Sequence, residues 1–416
     1  MYINRKKLLC MGAVLSSALL FGSCGTPIDE APVIPVDLTV TSEETTAETT
    51  QTEAEAVSEE ISETSAAVTL PEPEPPTVHF LAAGDNLVHG SIYRQAQRRS
   101  ENGGYDFGYE YANAAETVAA ADIAMINQET LICNDEYPPS DYPHFNSPVA
   151  LGDHMIDIGF DVFTIANNHM LDQGANGLSA CLDYWESRPE AVVAGAYRNK
   201  EDAERIRTFE SEGIVFSFLA YTESTNGAAL PSSSELVIGS ANYPDDIVAD
   251  IKAAKEISDI CVVSLHWGIE NSDEVTDKQR ERARMYAEAG ADIIVGTHPH
   301  VLRQIEVIEN PDGRNTVCAY SLGNFASAQN RPQNMIGGLL ELDVIREEEG
   351  YLFENITLTP VIQHYDAKYS NNRIYLYSQY SEELASQHGV IGEGGAFSME
   401  FIDSVLDKNI GEEYLG

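Results

Sequence analysis

A chain of 416 residues with 67 Asp and Glu against 24 Lys and Arg carries a formal charge of −43 at neutral pH. That sign excludes a nucleic-acid binder, which needs basic surface to displace counterions from phosphates, and a peripheral protein held on anionic lipid by polybasic patches. The length provides for one large domain or two ordinary ones, and 43% hydrophobic with 8% aromatic residues excludes a wholly disordered chain.

Arg5, Lys6 and Lys7 precede an apolar run from Leu8 to Phe21 that meets Gly22-Ser23-Cys24. A basic start followed by an apolar stretch shorter than the roughly 20 residues of a membrane span predicts a secretory signal over residues 1–24. The small residues before Cys24 resemble the lipobox of bacterial lipoproteins. That likeness implies lipidation of Cys24 and anchoring to the bacterial cell membrane on its extracytoplasmic face; an ordinary secretory signal is the alternative reading. Residues 25–77 hold 13 acidic residues, no Lys or Arg, and many Thr, Ser, Ala and Pro. Such a segment buries too little apolar surface to offset its ordering entropy and reads as a disordered tether. The expected folded domain, 78–416, keeps 54 acidic and 21 basic residues and stands near −33. Its cysteines, Cys133, Cys181, Cys261 and Cys318, show no CxxC spacing, and the last two lie in apolar runs that suit buried thiols.

Strands and helices are expected to alternate from here. Val78–Ala83 reads as a strand ending at Gly84-Asp85, and a helix around Asn113–Ala121 leads to the strand Ile123–Ile126, which ends at Asn127-Gln128-Glu129. A helix near Val149–Ile158 precedes the strand Val162–Ala166, ending at Asn167-Asn168-His169. Helix Asp245–Ile257 precedes Ile260–Leu265, ending at His266-Trp267-Gly268; helix Thr276–Glu288 precedes Ile293–Val295, ending at Gly296-Thr297-His298-Pro299-His300. Each of these five strands stops at a residue able to bind metal or move a proton, and in open α/β sheets sites form at the carboxyl ends of strands. Beyond them, Val301–Ile308 and Thr316–Ser321 flank the turn Asn310-Pro311-Asp312-Gly313 as a hairpin, and Met335–Arg346 with Tyr351–Val361 makes a second antiparallel pair. The mixture predicts an α/β sandwich of sheets with outer helices rather than a doubly wound sheet. No chemistry is legible after residue 365.

The strand ends would bring together carboxylates of Asp85 and Glu129, the amide of Asn168, and the imidazoles of His266, His298 and His300. Mixed oxygen and imidazole donors suit a transition metal such as Mn, Fe or Zn better than Ca. Pro299 favours a turn that aims His298 and His300 at two different ions, with Glu129 bridging them at about 4 Å.

The series Gly84-Asp85, Asn127-x-Glu129, Ala166-Asn167-Asn168-His169 with Asp172 and Gly174, His266-Trp267-Gly268-x-Glu270, His298-Pro299-His300-Val301 and Ser321-Leu322-Gly323-Asn324-Phe325 resembles the CapA family of poly-γ-glutamate capsule synthesis proteins. That family is similar to the calcineurin-like metallophosphoesterases, which implies a four-layer αββα sandwich with mixed sheets. The resemblance implies Asp85, Glu129, Asn168, His266, His298 and His300 as ligands of one or two divalent transition-metal ions, and His169 as the group that protonates the leaving oxygen. Beside these, His89, Asp172, Glu270 and Asn324 read as further metal or pocket residues, with Asp172 orienting His169 or fixing the turn at Gly174; the spacing of His89 does not follow the superfamily pattern. Position 87 is Leu where the superfamily has the His of Asp-x-His; His89 lies four residues beyond Asp85.

The expected function is a metal-dependent hydrolase of capsule or envelope polymer metabolism, cutting a phosphoester or a γ-glutamyl bond. The alternative is a non-catalytic accessory protein beside a membrane-bound polymer synthesis complex. A domain near −33 should repel free polyglutamate, so binding would need metal ions or a local basic patch such as Arg94, Arg98 and Arg99, a trio that also reads as an ordinary solvated helix face.

Overall fold

The structure, a computed structural model, describes residues 75–415. The signal segment expected over 1–24, with Cys24, and the part of the expected tether up to residue 74 lie outside the described residues.

The elements run β1 (Thr77–Asn86), β2 (Ile123–Asn127), β3 (Val162–Thr164), β4 (Val192–Ala194), β5 (Ala196–Tyr197), β6 (Arg207–Ser211), β7 (Ile214–Thr222) and β8 (Val237–Ile238). They continue with β9 (Ile260–His266), β10 (Ile293–Thr297), β11 (Leu302–Glu309), β12 (Asn315–Leu322), β13 (Asn324–Ala326), β14 (Ile336–Arg346), β15 (Tyr351–Asp366) and β16 (Ser370–Leu376). One large sheet has the order β16-β15-β14-β1-β2-β3-β4, with β13 pairing alongside the end of β1; the other has the order β11-β12-β10-β9-β7-β6. β1 to β4 are parallel and β14 to β16 antiparallel; in the second sheet β12, β10, β9 and β7 are parallel, with antiparallel β11 and β6 at the edges.

Strand alternation places the layers. Val78, Phe80 and Ala82 of β1 point to one side and join Phe216 and Phe218 of β7 and Val262 of β9 in a core between the sheets. Phe80 stacks on Phe216 with centroids 6.3 Å apart. Leu81 and Ala83 point the other way, into a second core with Phe163 of β3 and with Tyr111, Leu151 and Trp185 from the covering helices. On the far side of the second sheet, Val263 and Ile294 pack against Ile247, Ile251 and Tyr286 of the helices Pro244–Lys255 and Asp277–Ala289. Three apolar cores between helices, sheet, sheet and helices make the expected four layers.

Several expected elements shift at their ends. The helix expected at Asn113–Ala121 spans Ala115–Ala120, and β9 and β10 extend through His266 and Thr297. The two antiparallel pairs form, but β15 runs on to Asp366, where β16 pairs with it. β7, a parallel strand of the second sheet, and the helix Gly174–Glu186 are not among the expected elements, and the helix face expected around Arg94, Arg98 and Arg99 belongs to the helix Gly90–Arg99.

Gly84 and Gly323 hold the two sheets' ends together. A Cβ on Gly84 would lie 2.0 Å from Gly323 O, and the neighbouring Asp85 N–H donates to that same carbonyl at 2.9 Å. Gly323 itself has φ 64° and turns the chain from β12 into β13.

A candidate metal centre at the strand ends

Asp85 from β1, Glu129 just beyond β2, His266 from the end of β9 and His300 beyond β10 are all buried, within reach of one another. His298 and His300 have φ of 93° and 57° on either side of Pro299. Positive φ in non-glycine residues costs about 1–3 kcal/mol each and persists where surrounding contacts impose it. The bend separates the two imidazoles, whose centroids lie 6.0 Å apart, and sends them to different neighbours.

Two groups of donor atoms result. Glu129, His266 and His298 offer atoms within 4.8 Å of one another, and so do Asp85, Glu129 and His300. Glu129 belongs to both. Its Oε1 stands 3.7 Å from His266 Nε2 and 3.7 Å from His300 Nε2, and it has no hydrogen-bond partner. His298 Nδ1 and Asn127 Oδ1 are likewise buried and unpartnered. Buried acceptors without donors are costly unless a cation or a proton meets them.

The charges agree with the geometry. Burial and, next, the Asp85 carboxylate push the Glu129 carboxyl well above its ordinary range. Burial and then His298 hold the His266 imidazole well below its usual value; burial and then His300 bring His298 down to about 4. The His266 and His298 imidazoles are therefore neutral near pH 7, with lone pairs available. Unpartnered carboxylate and imidazole acceptors in one buried cluster fit a divalent cation in each group.

Flanking residues fix the donors. Thr297 Oγ1 lies 3.0 Å from His266 Nδ1, which leaves His266 Nε2 to face Glu129 and, at 3.1 Å, Asn168 Oδ1. Asn324 Oδ1 and Asp85 Oδ2 lie 3.1 and 3.0 Å from His300 Nδ1. Asp85 also accepts the backbone N–H of His298 and, at 2.8 Å, Asn127 Nδ2. His169 sits beside the groups with Nδ1 2.8 Å from Asp172 Oδ2 and its ring edge-on to Phe145 at 4.8 Å, so Nε2 is the nitrogen left for a substrate.

Two of the sequence-derived residues stand apart. His89 falls outside both donor groups: its Nδ1 is 2.9 Å from Leu87 O, and its ring packs on Phe145 at 5.2 Å. Glu270 is exposed at the rim, bonded to Asn271, and reaches the centre only through its charge on Glu129 and His298. Sequence reasoning gave no role to Asn127, Thr297, Asn226 or Glu223. Asn226 accepts from Asn168 Nδ2 at 3.3 Å. Glu223 receives Gly268 N–H at 3.0 Å and ties it to Lys278 and Arg282. Asn127 and Thr297 lie inside the polar strand ends read from the sequence; Asn226 and Glu223 carry no local signal.

Facing mixed sheets that present carboxylates and neutral imidazoles at one edge define an α/β protein with a candidate divalent-metal centre. The chain belongs to the bacterial capsule synthesis protein PGA_cap family, which matches residues 79–329. It is 32% identical over 209 residues to the PGA biosynthesis protein CapA of Bacillus subtilis (strain 168), covering 50% of this chain and 52% of that one. It is 33% identical over 177 residues to the capsule biosynthesis protein CapA of Bacillus anthracis, covering 42% and 41%. The chain thus spans about half the length of these curated relatives. Among solved structures it is similar to Haemophilus influenzae NAD nucleotidase, with TM-score 0.42, 12% identity and coverage of 81% and 60%. The calcineurin-like phosphoesterase YfkN of Bacillus subtilis gives TM-score 0.35 at 10% identity, covering 81% and 97%.

Proposed function

We propose that this chain is a metal-dependent hydrolase of capsule or envelope polymer metabolism, cutting a phosphoester or a γ-glutamyl bond of a polymer such as poly-γ-glutamate. In this reading Cys24 anchors it by lipid to the extracytoplasmic face of the bacterial membrane, beside a membrane-bound synthesis complex. The observation that carries the proposal is the sharing of Glu129 between two donor groups whose residues are buried apart from the half-buried His298.

Asn168, His266, His298 and Glu129 would hold one ion, and Asp85, Glu129 and His300 the other. When bound, such ions supply Lewis-acid polarisation of the scissile group and activation of water. The chain's own residues do the rest. His169 carries a proton on Nε2 towards the leaving oxygen or nitrogen, with Asp172 holding its Nδ1. Thr297, Asn324 and Asn127 keep the donors aimed inward, as partners of metal-binding side chains commonly do.

The test is turnover of a panel of phosphoester and γ-glutamyl substrates by the full chain, compared with His169→Ala and His266→Ala. Metal-dependent turnover lost in both variants is expected; turnover that survives both overturns the assignment.

A second reading, a non-catalytic accessory protein, is favoured by one observation. Leu87 stands where a further imidazole would complete the second group, and His89 turns its Nδ1 to Leu87 O instead. Polymer binding with no metal-dependent turnover on any substrate supports it.

A further inference from the structure

We propose that Arg98, Arg99 and Arg373 form a docking ridge for a polycarboxylate chain, leading away from the metal centre. The identity of that polymer rests on the proposed function; the ridge itself is a separate feature of the surface.

The helix Gly90–Arg99 begins directly after His89, its N-cap, and ends in Arg98 and Arg99. At about 1.5 Å per residue its basic end lies roughly 14 Å from that cap. The helix is fixed against β16: Gln95 Nε2 donates to Tyr369 O at 2.8 Å, and Asn372 N–H donates to Gln95 Oε1 at 3.2 Å. This docking brings Arg373 of the edge strand to Arg99. Both guanidinium carbons lie over the Tyr109 ring, Arg99 at 4.0 Å and Arg373 at 4.7 Å from its centroid.

Arg98, Arg99 and Arg373 form no ion pair among the described residues. Elsewhere on this acidic domain the arginines are mostly neutralised, as Arg188 is by Asp153, Arg198 by Glu186, Arg207 by Asp202 and Arg282 by Glu223. Even Arg94, one turn earlier on the same helix, is paired with Asp141. The carboxyl under the ridge, Glu110, does not supply the missing charge. Burial pushes it up to about 8 against the pull of Arg99 and Arg373, so it is largely protonated at neutral pH. Arg373 Nη2 donates to Asn113, but its Nε is buried without a partner.

Arg99 Nη2 donates to Gln95 Oε1 at 3.4 Å and Arg373 Nη2 to Asn113 Oδ1 at 2.8 Å, so the contacts left for carboxylates are their remaining accessible N–H groups and those of the exposed Arg98. The domain's net negative charge does not cancel this. At physiological salt, charges more than about 8 Å away are largely screened, so the local cations govern contact.

The test is binding of a γ-glutamate oligomer to the full chain at about 50 and 200 mM salt, for the natural chain and for Arg98→Ala, Arg98→Glu and Arg98→Ala/Arg373→Ala. Affinity should fall with salt in the natural chain. It should drop at least about tenfold in the double variant, with a flatter salt dependence, while turnover of a small soluble phosphoester stays unchanged. Arg98 is exposed, so its single variants report even where a change at Arg373 disturbs folding. Equal affinity in the natural chain and both Arg98 variants, absence of binding by the natural chain, or equal binding of a charge-matched polyphosphate would each overturn the proposal. His169→Ala should abolish turnover and leave oligomer binding intact, which separates failure of the ridge from failure of the hydrolase reading.

Discussion

Asp172 Oδ2 lies 2.8 Å from His169 Nδ1 and also accepts the backbone N–H of Phe145 at 2.7 Å. The carboxylate thereby fixes both the imidazole and the aromatic ring that packs edge-on against it. Asp172→Asn keeps the volume and removes the charge. Turnover should fall about 10–100-fold with metal content and KM unchanged. Unaltered turnover would remove Asp172 from the proposed machinery.

Glu223 clamps the loop that carries His266. Its N–H donates to His266 O at 3.0 Å, while its carboxylate receives Gly268 N–H and the side chains of Lys278 and Arg282. Glu223→Ala leaves two cations and a backbone donor without their acceptor. Urea unfolding should report a loss of about 1–3 kcal/mol, and a loss below about 0.5 kcal/mol would show the clamp to be dispensable.

His79 sits between Asp343, 3.0 Å from Nδ1, and Glu341, 3.4 Å from Nε2. The hydrogen bond to Glu341 is the largest influence; with Asp343 it outweighs burial and raises the imidazole above its ordinary 6.5. The protonated ring is favoured in the folded state. Its contribution is therefore fully present below about pH 6.5 and is lost as pH rises through the higher folded value. Between pH 6 and 8 the natural chain should lose more stability than His79→Gln, with both followed by denaturant midpoint; parallel curves would refute this.

Glu110 gives a second pH dependence of the same sign. Its carboxyl rises from 4.5 to about 8, chiefly through burial, so the folded state keeps a proton that the unfolded chain releases. Stability should fall from about pH 4.5 towards 8, with a limiting slope of about 1.4 kcal/mol per pH unit. Glu110→Gln keeps the neutral shape and should be more stable than the natural chain at pH 8 and nearly equal to it at pH 4. A variant less stable at pH 8 would mean that Glu110 is ionised and paired.

Much of this organisation was legible because the parallel strands are apolar runs with abrupt polar ends. Val78–Ala83 and Ile260–Leu265 announce themselves by β-branched and aromatic residues, then stop at Asp85 and His266. β7 has the same apolar character and ends at Thr222-Glu223, but no recognised motif follows it to draw attention. Gly90–Arg99 buries only the short stripe Ile92, Tyr93 and Ala96 among polar residues, and its docking also depends on Gln95 bonding a segment about 270 residues away. At the centre, the donor types and their grouping around Glu129 could be anticipated from motif order. That His89 falls outside both donor groups could not, because it depends on the Leu87 carbonyl, the Ala328 N–H and the Phe145 ring. Thr297 and Asn226 act through pairings that only the fold creates.

The central claim is that Glu129 joins two cation sites. Metal content of the full chain, purified without chelators and supplied with Mn, Fe or Zn, tests it most directly by mass spectrometry alongside Glu129→Ala. About two equivalents in the natural chain, and at most one in a folded Glu129→Ala, is the predicted result. A natural chain that retains no transition metal, or a folded Glu129→Ala that retains as much as the natural chain, would contradict it.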